Sequence, residues 1–284
     1  MCTDTYIKRE FYDIIDKNVK KEVYDNELVT FSKSLIQHKE NLPRLFRYSS
    51  ADYWNIRNLE KQQLKLSESG VMNDIFEGFS CVTDDKTLKQ INDFHDAAYI
   101  KAFSEEKDNL LMWAHYGDNY SGMCVEYDFS NLDEKLLYHL FPVYYSKEKI
   151  LEGSLNYLLK ELYALKLADL NRSSIDETYF LKDYMAHFLI KPIEWEYEKE
   201  WRILVTYPQL TCSAEEIGAE DDAELFSVEN TIFTVKDCIK SVYLGARMEE
   251  SKKDHIKEIC KEKLNNIPVY DTKMSAEHFK IEVK

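Results

Sequence analysis

The pattern of apolar and polar positions predicts a mixture of helices and strands without a repeated unit. Residues 1–40 carry apolar side chains at helical spacing, and the Asn41-Leu42-Pro43 segment ends the helical pattern. Several short stretches with the pattern of strands follow, and the alternation that is typical of half-buried strands is clear at 120–130. These stretches are 44–50, 64–69, 100–106, 120–130, 140–146, 200–207, 231–235, 240–245, 268–272 and 278–283. Helical spacing returns at 51–62, 87–99, 108–119, 147–190 and 249–264.

Because strands and helices mix without strict alternation, we predict an α+β fold. Its core would be a mixed, largely antiparallel sheet with flanking helices. We expect residues 1–43 to form an N-terminal helical extension and 44–284 to form a single domain. Gly122, which precedes the predicted strand at 120–130, is expected to adopt a positive φ.

The segment KPIEWEYEKEWRILV, residues 191–205, has the clearest alternation in the chain. It predicts one continuous strand, with Trp195 and Trp201 on the face that packs into the core. The opposite face would carry four carboxylates, those of Glu194, Glu196, Glu198 and Glu200. Such a row is repulsive unless water, a cation or a substrate meets it.

The composition narrows the class of protein. With 44% hydrophobic and 31% charged residues the chain is globular, and its net charge of −15 argues against non-specific binding to nucleic acid or to an anionic membrane. No apolar stretch reaches membrane-spanning length, and the N-terminus lacks the apolar region of a signal peptide. None of the six cysteines is spaced as CxxC. We therefore predict reduced thiols in a cytoplasmic protein.

Several common catalytic motifs are missing. The seven histidines are scattered without an HExxH pair, so we expect no metal centre. Neither a phosphate-binding GxGxxG or GxxxxGK[ST] loop nor a GxSxG nucleophile turn occurs. What remains is a set of polar residues on predicted strands: Arg47, Tyr48, Ser104, Glu198 and Glu200.

Five segments in order resemble the bacterial family known as domain of unknown function 2971. They are LFRYSS, VMNDIFEG, AFSEEKDNLLMWAHYGDNYSGMCVEYD, IEWEYEKEWRI and IKSVYLGARM, and they span about residues 44 to 248. The resemblance implies a bacterial protein and a toxin or phage-defence setting. It does not imply a particular reaction.

A second and looser resemblance concerns the order of an Arg, a strand Ser and a strand Glu-x-Glu, which is similar to that of ADP-ribosyltransferases. It implies that NAD is the cofactor and that Glu200 holds the ribose 2′-hydroxyl, stabilising the positive charge that develops as nicotinamide leaves. Glu198 would orient an acceptor, and Ser104 would brace the glutamate strand. Arg47 would hold phosphate or ribose. The resemblance also implies an aromatic ring stacked on nicotinamide, supplied by Tyr48, Trp113 or Tyr116.

Other interpretations remain open at this point. Asn73, Asp74 and Glu77 either form a substrate loop or act as turn and cap residues. Arg47 could instead form an interior salt bridge to a glutamate, and Glu200 could simply pair with Arg202 on a solvated sheet face.

Two alternative functions belong to other classes. The first is a non-catalytic sensor or interaction domain that binds a nucleotide or a protein, with the glutamate row facing a basic partner. The second is a nuclease-like hydrolase that holds a divalent ion through carboxylates from Asp74, Glu77, Glu126 and the 194–200 row.

Overall fold

The computed structural model describes residues 7–13, 27–69, 98–147, 188–206 and 231–283. The predicted loop residues Asn73, Asp74 and Glu77 lie outside these ranges, as do positions 87–97 of the predicted helix at 87–99 and most of the helical region at 147–190. The helix prediction is wrong for Ala98 and Tyr99, which belong to the strand Ala98–Ser104.

Within the described residues, nine strands form one sheet. The strands are β1 (Leu45–Ser49), β3 (Ser67–Glu68), β4 (Ala98–Ser104), β5 (Met123–Tyr127), β6 (Leu140–Pro142), β9 (Glu200–Thr206), β11 (Ile239–Leu244), β12 (Val269–Met274) and β13 (Ile281–Val283). Their order in the sheet is β13-β12-β11-β5-β1-β4-β9-β6, with β3 paired to β4. Every pair in this sheet is antiparallel except β11 and β12. Two smaller sheets pair β2 (Gln63–Lys65) with β10 (Ile232–Thr234) and β7 (Tyr144–Ser146) with β8 (Ile190–Pro192).

Helices flank the sheets. In the described part of the chain they are 7–13, Glu27–Gln37, Tyr53–Glu60, Leu110–His115, Glu134–Tyr138 and Glu250–Lys263, with shorter 3-10 turns at Lys39–Asn41, Phe129–Asn131 and Ile193–Glu198. Asn109 is the N-cap of the helix Leu110–His115, because its side chain accepts from the backbone N–H groups of Leu111 and Met112. Helices beside a mixed, mostly antiparallel sheet confirm the predicted α+β class.

The sheet has an apolar layer on each face. The larger layer includes the described N-terminal helical residues, since the rings of Phe11 and Phe31 lie 5.2 Å apart and both pack near Phe141 of β6. The smaller layer contains Tyr48 and Trp113. Burial of aromatic and branched side chains on both faces is the main source of stability for such a sheet.

The segment 191–205 differs from the predicted continuous strand. The chain forms a 3-10 helix over Ile193–Glu198, Lys199 adopts a left-handed conformation (φ 43°, ψ 53°), and β9 begins only at Glu200. The predicted single row of four glutamates is therefore wrong: Glu194 and Glu196 are exposed, whereas Glu198 and Glu200 are buried. Glu194 and Glu196 lie on the exposed side of the 3-10 helix, whereas the left-handed Lys199 stands between the two buried glutamates, Glu198 and Glu200.

The pairing of β1 with β4 is short. Phe46 and Ser104 are register partners, and the regular ladder does not continue beyond them. Further along β1, the Arg47 guanidinium donates to the Ala102 carbonyl at 3.3 Å. The central sheet therefore has a gap between two adjacent strands that is bridged by a side chain.

Candidate functional site

A cavity of about 210 Å³ opens where β1, β4 and β9 meet the helix at 110–115. Its walls include six residues that the sequence singled out: Arg47, Tyr48, Ser104, Tyr116, Glu198 and Glu200. The sheet order β1-β4-β9 brings the strand residues among them together, since Phe46 pairs with Ser104 and Ser104 pairs with Glu200. Tyr116 follows the helix at 110–115, and Glu198 ends the 3-10 helix before β9.

Ser104 lies at the end of β4 and is fully buried. Its hydroxyl accepts from the backbone N–H of Glu106 at 3.1 Å, which fixes the turn that leaves the strand. As the register partner of Glu200, Ser104 stands beside the first residue of β9.

Glu200 is held by two cations. Arg202 donates to its two carboxylate oxygens at 2.7 and 3.0 Å, and Lys191 donates at 2.9 Å. Burial favours the neutral acid, but the charges of Arg202 and Lys191 outweigh it and lower the pKa of Glu200 to about 2. The Glu200–Arg202 pair suggested by the sequence is present, although it is buried rather than on a solvated face.

Glu198 shares Lys191 with Glu200 but lacks an arginine partner among the described residues. Its carboxylate accepts from the Tyr116 hydroxyl at 2.5 Å and from Lys191 at 2.6 Å. Burial and the nearby Glu200 charge raise the pKa of Glu198 to about 7, against the opposing charge of Lys191. The two glutamates therefore differ: one is a fixed carboxylate, and the other can exchange a proton near neutral pH.

Two basic residues, Arg47 and Lys101, line the same cavity. The interior salt bridge considered for Arg47 does not form with a described residue, because its hydrogen bond goes to the Ala102 carbonyl. Lys101 is 7% exposed, and burial together with the charges of Arg47 and Lys65 lowers its pKa to about 6.

Two of the three predicted aromatic residues line the cavity, and the third packs behind them. Tyr48 and Tyr116 line the cavity, and the Tyr48 hydroxyl donates to the Glu106 carbonyl at 2.7 Å. Trp113 is fully buried beside Tyr48, with ring centroids 5.2 Å apart and planes at 89°, and its indole N–H donates to the Lys107 carbonyl. Trp113 therefore supports Tyr48 and does not border the cavity.

Sequence reasoning missed three residues of the site. Lys191 and Tyr145 carry no motif: Lys191 donates to both glutamates, and the Tyr145 hydroxyl accepts from the Glu200 backbone N–H at 2.9 Å. Lys101 looks like an ordinary strand lysine. A signal was available only for Lys191, because two buried carboxylates require a cation within reach.

A metal site receives no support from the described ranges, in which no three His, Cys, Asp or Glu side chains gather to hold an ion. Glu126, one of the proposed ligands, accepts instead from the hydroxyls of Ser241 and Tyr243. In the part of the chain that the structure describes, no helix is long and apolar enough to cross a membrane.

The fold and the cavity define an α+β protein with a polar cleft at the centre of its sheet. Residues 112–203 match a family described as protein of unknown function (DUF2971), so the resemblance to that family is confirmed. The matched region includes the helix at 110–115 from Met112 onward and the strand that carries Glu200. No curated protein and no solved structure matches the chain, and the similarity to ADP-ribosyltransferases stays a prediction.

Proposed function

We propose that the cleft binds NAD and that the protein transfers its ADP-ribosyl group to an acceptor. The observation that carries this proposal is the convergence of Arg47, Ser104, Glu198 and Glu200 on one cavity with tyrosine rings on its wall. These residue types are those that the reaction needs, and they come from separate parts of the chain.

The cleft fits one end of a dinucleotide. Its volume of about 210 Å³ is smaller than the roughly 300–1,000 Å³ of pockets that enclose a whole drug-sized ligand, so the reacting nicotinamide riboside end is the part it would enclose. Carboxylates suit ribose hydroxyls, and the cations at the other side of the cavity suit the diphosphate.

Bound NAD would supply a ribose C1′–N bond that breaks with the electron pair leaving on neutral nicotinamide. Glu200, ionised throughout the physiological pH range, would accept a hydrogen bond from the ribose and stabilise the positive charge that develops at C1′. Glu198 would take the proton that the acceptor loses as it bonds to C1′. Tyr48 or Tyr116 would pack against the nicotinamide ring.

A second candidate is a non-catalytic nucleotide-binding domain. It is favoured by the three hydrogen bonds from Lys191 and Arg202 that already occupy the Glu200 carboxylate. In that case the glutamates would hold the cleft together, and a nucleotide would bind without reaction. A cytoplasmic, bacterial protein acting as a toxin or in phage defence is the setting we propose for either candidate.

The test is incubation of the folded protein with NAD and a cell extract as the source of acceptors, followed by measurement of free nicotinamide. We expect the wild type to release nicotinamide and Glu200→Gln to lower the rate by about 100-fold or more. Glu196→Gln, which changes an exposed glutamate of the same segment, is the matched control and should retain full activity.

Because Glu200→Gln disturbs a buried ion pair, its fold is checked by circular dichroism. Glu198→Gln, which keeps an acceptor for Tyr116, serves as the second variant, and it should lower transfer to the acceptor. If the folded wild type binds NAD without releasing nicotinamide, the binding domain is the correct function. The absence of both binding and release would contradict both candidates.

A further inference from the structure

Two cations of the cavity lack an anionic partner among the described residues. Arg47 donates only to a backbone carbonyl, and the Lys101 ammonium has no hydrogen bond or ion pair there. By contrast, Lys191 and Arg202 bind the glutamates. Lys101 is buried and Arg47 is half-buried. Burying a basic side chain without an anionic partner is costly, so the fold keeps basic residues at this position that its own stability does not need.

Both side chains lie at the gap between β1 and β4. Arg47 and Lys101 line the main cavity and also a smaller one of about 20 Å³. The main cavity borders Tyr48 and Ser104, whereas the smaller one borders Ser49 and Val125, which by alternation belong to the opposite face of the sheet. The two cations therefore stand where the sheet is open between its faces.

We propose that Arg47 and Lys101 form a subsite for the phosphate groups of a nucleoside diphosphate, inside the gap between β1 and β4. The inference rests on the proposed function for the identity of the ligand, and it assigns Lys101, which no sequence motif marks, to ligand binding. A guanidinium fork and an ammonium together match the several oxygens of a diphosphate, and charge-assisted hydrogen bonds to them are strong.

Ligand binding at this subsite is coupled to the uptake of a proton by Lys101. The ionisable groups that border the two cavities are Arg47, Lys65, Tyr127, Tyr48, Tyr116 and the Lys191–Glu198–Glu200 cluster. Arg47 and Lys65 lower the pKa of Lys101, in addition to its burial, so its amine is largely neutral at pH 7.5 in the empty cleft. A bound diphosphate favours the ammonium, so the protein takes up close to one proton as the ligand binds.

Isothermal titration calorimetry of the full chain tests the subsite, with ADP and inorganic pyrophosphate as separate probes at pH 7.5. Comparison of buffers with different ionisation enthalpies measures the proton uptake. We expect the wild type to bind ADP with uptake, and Lys101→Met to raise the Kd at least tenfold and to abolish the uptake. Lys61→Met, which removes an exposed lysine, should change neither quantity.

A second variant covers the case in which Lys101→Met fails to fold: Lys101→Arg should bind ADP without proton uptake, because arginine stays charged. Equal affinity for pyrophosphate and ADP would identify the ligand as free diphosphate. Unchanged affinity and uptake in folded Lys101→Met, or no binding of either probe by the wild type, would overturn the subsite. Nicotinamide release is measured separately. If the wild type releases nicotinamide but Lys101→Met binds ADP as the wild type does, the subsite alone is rejected. If the wild type binds ADP at the subsite but releases no nicotinamide, only the transfer reaction is rejected.

Discussion

The Lys191 ammonium lies 2.6 Å from the Glu198 carboxylate, in an ion pair that is almost completely buried. The same ammonium also reaches Glu200, so one cation serves two acids. Lys191→Met would leave Glu198 without a cation among the described residues, and we expect the free energy of unfolding to fall by about 3–5 kcal/mol. Chemical denaturation at pH 8, where Glu198 is mostly ionised, measures this change.

The control for that substitution is Lys199→Met in the same segment. Lys199 forms an exposed ion pair with Glu106, and such pairs contribute less than about 1 kcal/mol. Equal losses in the two variants would contradict the view that burial makes the Lys191 pair important.

The pH dependence of the transfer rate should follow the protonation of Glu198. If Glu198 takes the proton of the acceptor, the group must be deprotonated before the reaction, so the transfer rate should rise as pH increases through about 7. Rates measured between pH 5.5 and 8.5 should lose this inflection in Glu198→Gln and keep it in Glu196→Gln. An inflection near 7 that persists without Glu198 would assign the proton transfer to another group.

The sequence singled out several residues that line the cavity, but it did not give their arrangement. Arg47, Ser104 and Glu200 were singled out because each is a polar residue on a predicted strand and because their order is similar to that of ADP-ribosyltransferases. Their convergence depends on the order β1-β4-β9, which joins strands that are far apart in the chain and which no spacing encodes. A resemblance to a known order of residues supplied that link.

The segment around Glu198 shows where local pattern fails. Alternating Trp, Tyr and Glu at 193–199 has the period of a strand, yet a 3-10 turn forms and lets Glu198 and Glu200 reach one lysine. The tertiary contacts of buried charges outweigh the period of the sequence here. Lys101 could not be predicted, because a surface lysine on a strand has the same local sequence.

Gly122 illustrates a second difference between local and tertiary requirements. The expected positive φ is absent at Gly122, and the preceding residues Asp118, Asn119 and Tyr120 adopt it instead. Glycine is needed because a Cβ at position 122 would stand 2.1 Å from the carbonyl oxygen of Ser49 at the end of β1.

Gly122→Ala should therefore destabilise the fold and displace the end of β1 that carries Tyr48. We expect a loss of about 2 kcal/mol or more in the free energy of unfolding, measured by urea denaturation. Ser121→Ala, one residue earlier in the same turn, should cost less than about 1 kcal/mol because its hydroxyl bonds are exposed. A neutral Gly122→Ala would show that the turn can move away from β1.

We expect Lys101 to lower the free energy of unfolding of the wild-type protein. The unfolded chain holds the Lys101 proton up to a pH of about 10.5, whereas burial and the nearby cations make the folded protein release it above about 6. Between these values the unfolded chain binds more protons, so this residue makes the wild type less stable as pH falls from 10 to 6. Lys101→Met removes this penalty, and at pH 7 we expect the free energy of unfolding to rise by roughly 2 kcal/mol or more.

The gain in the free energy of unfolding should be largest at pH 6 and should disappear near pH 10, whereas Lys61→Met should give a change within about 0.5 kcal/mol at every pH. A variant that is more stable but binds ADP more weakly would have the signature of a residue kept for function rather than for folding. A Lys101→Met protein that is less stable than the wild type at pH 7 would instead mean that the ammonium is already neutralised within the fold.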